Sequence, residues 1–108
     1  MKFKFPLQTV VRHRQIKEDL AERDFMQAQA LLNEEIKKLE KMQEDWHQAH
    51  VRMGQLSQLG GAQGPGLVQI SEFKRGQDIR IERQRAKVQE YVNLVEARRE
   101  ILRHAALE

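Results

Sequence analysis

The chain has 108 residues, of which 32% are charged and 6% aromatic, and it contains no cysteine. That length holds one domain, and so polar a composition excludes a rounded globule with a thick core while suiting long helices that share a narrow apolar seam. Nineteen basic against 16 acidic residues leave a net charge of +3. That excludes a histone-like polycation, and the missing thiols exclude disulfides, thiolate metal sites and cysteine nucleophiles together.

The opening Met1-Lys2-Phe3-Lys4-Phe5-Pro6 lacks the apolar core and small-residue cleavage site of a signal peptide. No apolar run approaches the ~20 residues that a membrane-spanning helix needs. The expectation is a soluble cytoplasmic protein.

From about 7 to 56 the chain has no proline and a single glycine, Gly54, and is rich in Gln, Glu, Lys, Arg, Ala, Leu and Met. These residues lose least on entering a helix. One track reads Leu7, Val11, Arg14, Glu18, Ala21, Phe25, Ala28, Leu32, Glu35, Leu39, Met42, Trp46, Ala49, Met53, Leu56. Its steps alternate four and three, the spacing of a left-handed coiled-coil seam. Arg14, Glu18 and Glu35 are faults in that seam. Val10, Ile16, Leu20, Leu31 and Ile36 form a second flank that widens the stripe.

Residues 57–70, with four glycines and Pro65, read as the turn between two helices. A second helix is expected over about 71–106, with the seam Gln77, Ile81, Gln84, Val88, Tyr91, Val95, Arg98, Leu102, Ala105. Gly76 weakens its first turns by about 1 kcal/mol relative to alanine. The fold class that follows is all-α: one domain over 1–108, a two-helix antiparallel coiled-coil hairpin.

In that hairpin Phe25 is expected to face Leu102, Leu32 to face Val95, Leu39 to face Val88 and Trp46 to face Ile81. The second helix then ends opposite about residue 19, leaving Leu7, Val10, Val11 and Ile16 without a partner in the chain. A missing C-terminal stretch, a second copy or another protein is expected to cover them, since isolated helix ends are marginal in water. The last residues, Ala105-Ala106-Leu107-Glu108, carry no glycine or asparagine cap, which reads as a helix cut short.

No catalytic, cofactor-binding or metal-binding set is legible. The two serines, Ser57 and Ser71, both fall at the turn, and two packed rods offer no deep pocket. The turn lacks the Gly-Lys-Ser/Thr of a phosphate-binding loop. His47 and His50 share a helix face but lack the further ligands of a metal site, and are read as solvent-facing. The basic stretch from Lys74 to Lys87 is read as a solvated face, with an acidic protein patch the next option. Its charges spread around the helix without an aromatic platform, so no nucleic acid is expected as partner. Trp46 is both a seam residue and a candidate anchor, because a two-helix coil cannot enclose an indole and tryptophan is a frequent interface hot spot.

The opening Phe3-Lys4-Phe5-Pro6-Leu7-Gln8, followed by Val10-Val11, Arg14, Glu18 and Ala21, resembles the start of the FliJ family of flagellar export stalk proteins. The likeness continues through Ala28, Leu31-Leu32, Glu34-Glu35, Leu39 and Trp46 to Phe73 and covers nearly the whole chain. The resemblance implies an antiparallel hairpin similar to the central stalk of rotary ATPases, without enzymatic activity or cofactors. It implies docking in the flagellar export ATPase ring through Phe5, Leu7, Val11, Arg14 and Glu18, and promotion of that ring's assembly. It also implies contact with the cytoplasmic domain of the export gate through Glu35, Leu39, Met42, Trp46 and Phe73, and escort of export chaperones. Such a protein is cytoplasmic and peripheral to the inner membrane through its partners. Gln77 and Arg80 stand where an apolar stripe from Phe73 would continue, a departure from the gate-binding pattern. The rival readings are the stalk of a virulence type III secretion system, a self-assembling structural coiled coil or homo-oligomer, and a basic nucleic-acid binder.

Overall fold

A computed structural model describes residues 6–60 and 64–107. It consists of two long helices in the order α1 (Leu7–Gln58) and α2 (Gly64–Leu107), an antiparallel helical hairpin. Helix α1 begins where the sequence permits it. Pro6 lacks an amide proton and fixes φ, and its carbonyl accepts the amides of Thr9 (3.0 Å) and Val10 (3.3 Å). At the far end the helix tightens: Leu59 N–H donates to the Leu56 carbonyl (3.2 Å) and Gly60 N–H to that of Ser57 (3.4 Å). Gly60 has φ of +95°, the left-handed conformation that glycine adopts without a Cβ penalty and that commonly ends a helix.

The expected turn over 57–70 is too long. Helix α2 starts at Gly64, well before the expected position near Ser71. Proline and glycine break a helix interior, yet Pro65 sits in the first turn, where its missing N–H would have had no intrahelical partner. Leu67 and Ile70 are half-buried there, so the apolar pattern already belongs to the helix. A Cβ placed on Gly66 would lie 3.6 Å from Leu56 Cδ1, so the start of α2 packs on the end of α1.

The single expected domain resolves into two compact units: Met1–Asn33 with Glu90–Glu108, and Glu34–Gln89. In the first, Ala21, Ala28, Val95 and Ala105 are buried; in the second, Ile81 is the buried apolar side chain, with Glu35, Gln77 and Gln84. All eight are members of the two tracks with four-three spacing. Leu32, Leu39, Met42, Trp46, Val88 and Leu102 on the same tracks are half-buried, because a pair of helices leaves each long side chain an open flank. Burying Ile81 or Val95 contributes roughly 2 kcal/mol gross, before the entropy of ordering is subtracted.

The antiparallel pairing is visible in the cross-helix contacts of each unit. In the second unit Gln84 meets Glu35 and Gln77 meets Met42, each eight residues earlier on α1 than the partner that the expected facing of Trp46 with Ile81 and Leu39 with Val88 assigns, so that register is not the one these contacts follow. A glutamine side chain has the reach to bond across the seam to the opposite backbone, which places its amide on a carbonyl of α1 in both cases. In the first unit Asp24 pairs with Arg98 across the seam at 3.4 Å, and the Arg99 guanidinium lies 5.7 Å from the centroid of the Phe25 ring, where the expected facing put Leu102.

Candidate partner-docking surfaces

The first candidate surface is the opening of α1. Leu7 is 78% exposed and Val11 57%. Arg14 is exposed and Glu18 half-buried, and among the described residues no ion pair joins the two. Phe5 lies outside the described residues. Val10, Ile16 and Leu20 are also exposed, so the face carries more apolar surface than the seam track alone supplies. The expectation that Leu7, Val10, Val11 and Ile16 lack a cover within the chain agrees with their exposure. A row of large apolar side chains on one helix is the kind of surface that docks against another protein.

The second candidate set is divided by the structure. Glu35 is buried at 5% exposure and serves the hairpin from within. Its Oε2 accepts a 2.6 Å hydrogen bond from Gln84 Nε2, its Oε1 accepts one from Lys38 Nζ at 3.2 Å, and Lys87 Nζ lies 3.6 Å away on α2. The Gln84 amide also donates to the Glu35 carbonyl at 2.9 Å. That glutamine bond foremost, with the lysines, holds the Glu35 carboxyl below its usual range, against burial, which pushes it up. Leu39 and Met42 are half-buried on the seam, and the Met42 carbonyl accepts a bond from Gln77 Nε2 at 2.9 Å.

Trp46 is half-buried, and its Nε1 is enclosed without a hydrogen-bond partner. The His50 ring stacks on it at 5.1 Å and 10°. Lys74 Nζ stands over the indole, 4.7 Å from its centroid, a cation–π distance. Phe73 is 41% exposed and lines an open groove with Asp45, Ala49, Arg52 and Leu56. Arg80 lies 5.8 Å over the Phe73 ring and donates through Nε to Gln77 Oε1 at 2.8 Å. The departures Gln77 and Arg80 are therefore the residues that brace Phe73.

The contacts of His50 and Lys74 are not legible in sequence. His47 and His50 are both exposed, as expected, but they point differently, His50 stacking on Trp46 and His47 lining the groove beside Phe73. Helical spacing put His50 one turn from Trp46, but the arrival of Lys74 depends on how α2 is aligned against α1. Among the described residues no group of three or more His, Asp or Glu is arranged to hold a metal ion, and no helix is long and apolar enough to cross a membrane.

A family model described as "Flagellar FliJ protein" matches residues 3–108. A comparison with curated proteins and one with solved structures each returned no significant match.

Proposed function

Because this chain belongs to the FliJ family, with a role related to flagellar protein export, we propose that it acts as a non-catalytic stalk and adaptor of the type III export apparatus. In this reading the opening of α1 enters the ring of the export ATPase, with Leu7, Val11, Arg14, Glu18 and Phe5 making the contact, and promotes assembly of the ring. Trp46 and Phe73 meet the cytoplasmic domain of the export gate, with Leu39 and Met42 shaping the seam beneath them. Glu35 contributes through Lys38 and Lys87, whose positions it holds. Export chaperones are carried on the same rod. The protein works on the cytoplasmic side, held at the membrane by its partners.

One observation carries the ATPase contact: the row of exposed Leu7, Val10, Val11, Ile16 and Leu20 on the opening of α1, which is uncovered among the described residues. The test is stimulation of a flagellar export ATPase by the purified chain. Arg14→Ala is expected to reduce stimulation several-fold while helicity by circular dichroism stays unchanged, since Arg14 is exposed and a surface truncation typically costs under about 0.5 kcal/mol of stability. Equal stimulation at matched helicity would remove Arg14 from the interface.

A further inference from the structure

Lys74 of α2 touches three side chains of α1 within the second unit. Its Nζ is 2.9 Å from His50 Nδ1, 3.8 Å from Met53 Sδ and 4.7 Å from the Trp46 ring centroid. The His50 ring is stacked on the same indole. An ammonium group carries only donors, so the bond to His50 requires a lone pair on Nδ1 and places the ring hydrogen on Nε2. The contact therefore exists only with a neutral imidazole.

We propose that His50 and Lys74 form a proton-sensitive cap on Trp46, closed while His50 is neutral and opened when it takes up a second proton. Protonation puts an N–H on Nδ1 and sets two cations 2.9 Å apart. One must leave. The imidazolium keeps its stack on the indole, itself a cation–π arrangement, and its stem is short. Lys74 has the long flexible stem and moves. The charged and titratable groups around the cap assist this. On α1, His47 lies one turn before His50 and adds positive charge when protonated, and Asp45 is occupied by Lys41 at 2.8 Å. On α2, Asp78 lies one turn after Lys74 and lines the groove beside Trp46 with Glu82 and Arg85. Asp78 is thus a partner for the released ammonium at the four-residue spacing of helical ion pairs. Opening removes one tie between α1 and α2 and uncovers the indole.

Trp46 is the chain's single tryptophan, so its accessibility reads the cap directly. Acrylamide quenching of the full chain is measured between about pH 7.5 and 5.5, with helicity followed at each pH. The quenching constant is expected to rise about two-fold on acidification at constant helicity. His50→Gln should keep it low throughout, Lys74→Met should keep it high throughout, and His47→Gln should retain the step. A parent constant that does not change with pH overturns the cap. So does a step that survives in His50→Gln or in Lys74→Met, one that vanishes in His47→Gln, or one accompanied by a helicity loss shared with His50→Gln.

Discussion

Glu35 puts a carboxylate where a coiled-coil seam ordinarily places an apolar side chain. It is tolerated because each oxygen is satisfied, one by Gln84 and the other by Lys38 and Lys87. Its lowered pKa makes the arrangement pH-dependent. A carboxyl favoured as the anion in the fold stabilises the fold above its ordinary value of 4.5, and that contribution is lost as pH falls through the lower folded value. Glu35→Gln should therefore melt at a lower temperature than the parent at neutral pH, and the gap should close on acidification to about pH 3. Thermal melts by circular dichroism at three pH values check this; a gap that widens in acid would exclude it. Trp46→Ala belongs to the same scale. Loss of a half-buried indole should cost about 1–2 kcal/mol of stability, leaving most helicity in place. If Trp46 anchors the gate contact, affinity for the gate's cytoplasmic domain should fall by more than tenfold, as at a hot spot costing about 2 kcal/mol; unchanged affinity in titration calorimetry would exclude that role.

The two seams were legible because the four-three alternation is a property of position and survives polar members. Gln77 and Gln84 could be assigned to the track, and both are buried on it. Their bonds to carbonyls of the opposite helix were not legible, since these depend on the alignment of α1 and α2. The start of α2 was missed for a different reason: proline is a breaker in a helix interior and a favourable residue in its first turn, and composition does not say which applies. Gly76, by contrast, is an interior glycine of α2 with ordinary helical φ. A Cβ there would meet only the flexible end of Arg80, at 3.4 Å. Gly76→Ala is therefore expected to stabilise the protein by up to about 1 kcal/mol, raising the melting temperature by several degrees. A lowered melting temperature would mean that the Arg80 side chain cannot yield.

At the scale of the molecule, cover is unevenly distributed along α1. Residues 7–16 are all exposed, whereas Ala21 and Ala28 are buried. Local opening follows such gradients. Amide hydrogen exchange is expected to be fastest over 7–16 among the helical residues and markedly slower around 21–28. If this opening enters the ATPase ring, adding the ATPase should slow exchange over 7–16 and leave 21–28 unchanged. Uniform exchange along α1 in the free chain would contradict the gradient. The seam running past the end of its partner made the exposure of Leu7 and Val11 readable, while their assignment to a ring, with Arg14, Glu18 and Phe5, came from the family resemblance. Of the gate-docking candidates, Glu35, Leu39, Met42 and Trp46 were readable as seam members, and Phe73 came only from the family resemblance. Burial then separated Glu35, enclosed by its own hairpin, from Phe73, which faces outward.

The amide of Gln77 reaches for the backbone oxygen of Met42 rather than for its thioether. Every amino acid supplies that oxygen. The latch itself therefore asks nothing of the side chain at position 42, whatever the seam asks of it, whereas position 77 must keep a side chain of glutamine's reach and donor chemistry. For this one latch the constraint on inheritance is lopsided, falling on the α2 residue that reaches and not on the α1 residue whose backbone is reached.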